Sequence, residues 1–219
     1  MSTPFPLGRK IEHDPASRRF AFVPRTSQQV VTKTWRRYGA VLDQGSLGSC
    51  TGNAMTHALN SLPLHLKKSQ IWDQSMAVML YSAATGLDPW EGSYPPEDTG
   101  SSGLAVCKAA VQMGHINSYK WAFGFDHVLS TLMAGPVLVG TYWYSGMSYP
   151  DANGFVTPSG SKEGGHEYLL VGVNTSKRYL TFQNSWSSLW GVRGRFYMTF
   201  DNFKRLLDED GDAVLPVRS

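Results

Sequence analysis

The stretch DQGSLGSC, Asp43 to Cys50, decides how the rest of the chain is read. It sets one of only two cysteines behind two glycines, a glutamine and a serine. Directly after it, SCTGNAMTHALNSL places Ala54, Ala58 and Leu62 at helical spacing, with Met55 and Leu59 beside them. The spacing predicts a helix opening near Cys50, with Ser49 as its N-cap and Pro63 as its end. A thiol at a helix N-terminus faces unpaired N–H groups and the positive end of the dipole. Both favour a thiolate below the ordinary pKa of ~8.5. Gly45 and Gly48 let the backbone turn tightly and leave room for a substrate. Gln44 can fold its amide back beside Cys50 and donate to a developing oxyanion together with the Cys50 backbone N–H. A buried structural cysteine carries the same local pattern, so the reading depends on partners elsewhere in the chain.

Two segments supply them. In EGGHEYLLVGVN, His166 follows two glycines and opens an apolar strand, where an imidazole can face Cys50 across a cleft and act as its base. Of the other histidines, His57 sits on the same helix as Cys50 but two turns away. In FQNSWSSLWG, Asn184 ends another apolar strand. Its carbonyl suits the second ring nitrogen of a histidine base, fixing tautomer and orientation, with Trp186 placed to shield that bond from water. A glycine loop, PEDTGSSG, ahead of the helix LAVCKAAVQMG offers an edge that an extended peptide can pair with.

Taken together, DQGSLGSC, GGHEYLLVGVN and QNSWSSLWG resemble, in order, the active-site segments of papain-like (C1) cysteine peptidases. The separations of Cys50 from His166 and from Asn184 are close to the ~130–150 residues of that arrangement. The resemblance covers about residues 40–200 and implies a two-lobed α+β fold, with a helical lobe, an antiparallel sheet or barrel lobe, and the active-site cleft between them. It implies Cys50 as nucleophile, His166 as base, Asn184 as its orienter and Gln44 as oxyanion donor. Gly100, Gly165 and Trp186 would contact substrate, with Trp186 also covering the His166–Asn184 pair. The expected activity is hydrolysis of peptide bonds without cofactor or metal. Leu47 stands where secreted members carry a cysteine, Thr51 replaces a usual tryptophan, and the glycine loop lacks its cysteine. These departures bring the chain closer to short bacterial and bacteriophage members.

Organisation follows from the pattern. Residues 1–39 carry scattered prolines, arginines and aromatics and read as an extended arm wrapping the body. Residues 40–117 read as the helical lobe, with further helices in DQSMAVMLYSAATG and LAVCKAAVQMG. Leu104, Cys107 and Val111 form the expected buried stripe of the latter, with Lys108 flanking it. Residues 118–219 read as the β-rich lobe, with strands PVLVGTYWY, HEYLLVGVN, RYLTFQNSW and GRFYMTF and a short helix in DHVLSTLMAG. Tyr142, Trp143 and Tyr144 read as strand core. DEDGD, Asp208 to Asp212, lacks the residues of a calcium loop and reads as a solvated turn.

Composition narrows the classes. A net charge of +3, with basic residues only in pairs such as Arg18-Arg19, Arg36-Arg37 and Lys67-Lys68, gives no nucleic-acid stripe. Two cysteines make no disulfide framework. No apolar run approaches ~18 residues, and the opening segment has no apolar core of a secretory signal. The expectation is a soluble protein of a reducing compartment, in cytoplasm, host cytoplasm or a phage particle, acting on a polypeptide or cell-wall peptide and not on nucleic acid or membrane. Alternatives with the same residues are a cell-wall peptide amidase or transpeptidase, a self-processing protein, and a non-catalytic phage or structural protein retaining the fold. Sequence leaves the oligomeric state and the substrate sequence open.

Overall fold

The computed structural model describes residues 5–25, 28–65 and 70–218; the Lys67-Lys68 pair lies outside them. Up to Ser49 the regular elements of the described chain are a 3₁₀ turn at Ser17–Arg19 and the short strand β1, Lys33–Thr34. Three helices follow: α1, Cys50–Leu59; α2, Gln74–Thr85; and α3, Gly103–Gln112. Then come β2, Ser118–Trp121; α4, Phe125–Leu132; β3, Val137–Tyr144; β4, Lys162–Asn174; β5, Tyr179–Gln183; β6, Arg195–Thr199; α5, Phe200–Asp208; and β7, Asp212–Val217.

All of α1 is buried, its polar Thr51, Asn53, Thr56 and His57 as well as its apolar residues. Gly52 permits this, because a Cβ there would lie 2.1 Å from the Ala77 carbonyl of α2. Ser49 occupies the N-cap position but makes no capping bond. Its hydroxyl instead accepts from the Asn53 side chain at 3.0 Å. The helix closes at Leu59, ahead of Pro63, because Asn60 already turns out of it and bonds Trp72 with both ends of its amide. Helix α3 is capped by Ser102, whose hydroxyl accepts from Ala105 N–H at 2.9 Å. Leu104 and Cys107 are buried as expected, but Val111 is exposed, because α3 ends one residue later and its last turn leaves the core.

The sheet is antiparallel, in the order β2-β7-β3-β4-β5-β6, with β1 pairing β4. Both faces are covered. Leu138, Leu169, Val171 and Val214 point into a core shared with α1, α2 and α3. Val139, Tyr168, Leu170 and Phe182 point into a second core closed by α4 and α5. Burial of both faces explains why β3 and β4 read as continuous apolar runs instead of alternating ones. Trp143 is fully buried in the second core, Tyr144 nearly so, and Tyr142 packs at its edge. Among the described residues no helix is long and apolar enough to cross a membrane.

Candidate active site

Cys50 begins α1, which packs against β4, and its sulfur meets the backbone N–H of Glu167, the residue after His166. Its sulfur is completely buried. Burial pushes the thiol up to about 12, while the backbone N–H groups of Glu167, Gly8 and Thr51 pull the other way. His166, in β4, is also fully buried. Its Nε2 donates to Asn184 Oδ1 at 2.8 Å, which leaves Nδ1 as the ring nitrogen with a lone pair. Nδ1 has no hydrogen-bond partner among the described residues. Burial lowers the His166 pKa to about 4 against the opposing pull of Asn184, so the ring is neutral at neutral pH.

Asn184 Oδ1 is fixed twice, since it also accepts from Ser185 N–H at 2.8 Å. Trp186 stacks on the imidazole, with ring centroids 4.6 Å apart and planes 22° from parallel. Trp143 meets the same ring edge-on at 5.1 Å. The sequence expectation for Trp186 omitted Trp143, which a strand pattern identifies only as core. Gln44 is also held: its Oε1 accepts from Ser185 Oγ at 2.7 Å, and its backbone N–H donates to Ser185 O at 3.0 Å. Its Nε2 donates to Leu47 O at 2.9 Å and more loosely to Pro6 O at 3.4 Å. Ser185 thus couples the Gln44 loop to the Asn184 turn, a role hidden in the sequence. His57 is buried on α1, and burial together with the Arg37 charge holds it neutral against a weaker pull from the Asn184 backbone.

The arm passes through this site. Phe5 stacks on Trp186 at 4.4 Å, and Pro6 O lies at Gln44. Gly8 O accepts from Ser101 N–H at 2.8 Å, Arg9 N–H donates to Gly165 O at 3.0 Å, and Lys10 N–H donates to Ser101 O at 2.8 Å. Extended backbone pairing does occur at the glycine loop, but through Ser101; Gly100 supplies the close approach beside it, in a left-handed conformation at φ +70°. A second link braces this loop: Asp98 accepts from Gly48 N–H at 2.8 Å and from Tyr81 OH at 2.5 Å, and Tyr81 OH in turn accepts from Gly100 N–H at 2.9 Å. Gly8 presents a backbone N–H to the sulfur, so the arm runs directly over Cys50.

No family model matches the chain. It is 23% identical over 213 residues to an uncharacterized peptidase C1-like protein of Acanthamoeba polyphaga mimivirus, in a match covering 77% of this chain and 66% of that relative's length. Among solved structures, xylellain, a cysteine protease from Xylella fastidiosa, superposes with a TM-score of 0.78 at 18% identity, covering 100% of this chain and 98% of that one. Procathepsin L 3 of the Tenebrio molitor larval midgut superposes with a TM-score of 0.68 at 15% identity, over 95% of this chain and 75% of that one. With α1, α2 and α3 packed on one face of an antiparallel sheet and α4 and α5 on the other, the chain has the papain-like fold.

Proposed function

We propose that the chain is a cysteine peptidase held latent by its own arm. In this reading the Cys50 sulfur bonds to the scissile carbonyl carbon as its proton passes to His166 Nδ1. The oxyanion is held by the Cys50 N–H and Gln44 Nε2. Collapse breaks the C–N bond, and the imidazolium protonates the leaving amine. Water, deprotonated by His166, then cleaves the thioester and returns the thiol. The observation that carries the reading is the 2.8 Å bond from His166 Nε2 to Asn184 Oδ1 beneath Trp186, which fixes the tautomer a base for Cys50 needs. The peptidase C1-like name of the mimivirus relative and the peptidase names of the structural neighbours point the same way.

The arm explains why both reacting groups are neutral as they stand. With Phe5 to Lys10 seated, sulfur and imidazole are dry and each is pushed toward its uncharged form. A peptidyl electrophile added to the full-length protein should give one adduct, on Cys50 and not on Cys107, by intact mass and peptide mapping. An adduct on Cys107 alone would overturn the nucleophile assignment. Gln44→Ala should lower kcat by roughly 10²–10³, the usual loss for one oxyanion donor, with little change in KM. Undiminished kcat on a good substrate would remove Gln44 from that role.

A further inference from the structure

The groove that holds Cys50 also holds a guanidinium. Arg9 follows Gly8 in the arm, and its side chain descends out of the groove until none of it is exposed. Its Nη2 pairs with the Asp212 carboxylate and donates to Asp210 O at 2.7 Å. The Glu167 carboxyl meets the same place from β4. A Cβ set on Gly140 would lie 2.6 Å from Arg9 Nε, 2.6 Å from Glu167 Oε2 and 3.0 Å from Asp212 Oδ1. One on Gly103 would lie 2.9 Å from Glu167 Oε1 and 3.2 Å from Asp212 Oδ1. Two glycines therefore make the room and two acids on separate strands line it. All four belong to the body, and only the occupant belongs to the arm.

Two carboxyl groups so close and so dry have no evident purpose without a cation between them, because burial of unpaired charge is costly. Burial and the Asp212 charge both push the Glu167 pKa well up, and Arg9 opposes them. The fit of Arg9 is incomplete. Its Nε and Nη1, and both Glu167 oxygens, are buried without hydrogen-bond partners among the described residues. An arginine carried by a separate peptide, free of the arm's anchoring, can shift enough to pair these groups and so exchange with Arg9. A planar fork of five donors suits acceptors on two strands better than the single ammonium of lysine.

We propose that this pocket is a specificity site for arginine: peptides that displace the arm seat an arginine guanidinium between Asp212 and Glu167. Gly8 N–H reaches the sulfur and Arg9 is its neighbour, so the selected residue lies within about two positions of the bond cut. The assignment of this pocket to a substrate rests on the peptidase reading above.

The test uses full-length Arg9→Ala, which vacates the pocket, with fluorogenic peptides that differ only by arginine, lysine, citrulline or leucine at one position at a time. Binding of the same peptides to full-length Arg9→Ala/Cys50→Ala, read by calorimetry, makes the answer independent of turnover. At one position arginine should exceed citrulline, its neutral isostere, on the order of 10²-fold in kcat/KM and in affinity, and adding Asp212→Asn should reduce that ratio to about 5 or less. Hydrolysis without arginine preference at any position overturns the pocket and leaves the peptidase reading standing. Arginine-selective binding without hydrolysis upholds the pocket and overturns the peptidase reading. Absence of both overturns both. If Arg9→Ala does not fold, Arg9→Met, which keeps side-chain bulk but removes the cation, carries the same comparison and the same outcomes.

Discussion

Cys50→Ala should abolish peptide hydrolysis, lowering kcat by about 10⁶, the loss seen when the nucleophile is taken from a catalytic unit whose members act together. The comparison is best made in a background where the arm has been displaced, so that latency does not mask the loss. Cys107 gives the control. It too is fully buried, in α3, and burial with the nearby Glu167 and Asp212 carboxyls pushes its pKa well up. Cys107→Ala removes a small packed side chain and no proposed chemistry, so it should cost stability but leave kcat within a few-fold. Equal loss from both substitutions, or substantial turnover by Cys50→Ala, would refute the assignment of the sulfur.

The arm itself is the second large lever. Gly8 passes so close to the Gly48 carbonyl that a Cβ would lie 1.8 Å from its oxygen, and both partners are backbone. Gly8→Ala therefore cannot keep the seated path. Overpacking of this kind costs about 1–3 kcal/mol, which raises the open population by roughly 5- to 150-fold. Peptide hydrolysis and alkylation of Cys50 should rise by the same factor. The pH dependence gives an independent signature. Burial disfavours the anion, so with the arm seated the thiol titrates at about 12, and the wild-type alkylation rate should climb with pH as far as the fold tolerates. In Gly8→Ala the sulfur regains water and an imidazole able to take its proton, its pKa falls, and the profile should level off at lower pH. Superimposable profiles would mean that the arm is not what keeps Cys50 dry.

Much of this architecture is legible in the sequence, and the exceptions have physical causes. Helices α1, α2, α3 and α4 follow from apolar spacing, and β3 to β6 from β-branched and aromatic runs. Strand β7 is hidden because DAVLPV contains Pro216. The structure tolerates it because β3 pairs only with Asp212 to Val214, leaving Pro216 opposite Tyr119 of β2 alone. Helix α5 is hidden because its buried residues, Phe200, Phe203 and Leu206, are set among charges directly after a strand. Of the candidate site, Gln44, Cys50, His166, Asn184 and Trp186 are legible because three short segments carry them in the order of the resembled family's motifs. Glu167 and Asp212 are not. One looks like a charge beside a strand end and the other like part of a solvated acidic turn. Only the placing of β4 and β7 on either side of β3, where Glu167 and Asp212 both pair with Gly140, brings them together beneath the arm and buries Asp212.

The span between Arg9 and Asp212, 203 residues apart in the chain, also sets a schedule. On the ribosome the arm is made 203 residues ahead of its anchoring carboxylate, with α1 and β4 made in between. The latch cannot fasten until Asp212 has left the tunnel, and a nascent chain stalled before Asp212 would carry an unsecured arm.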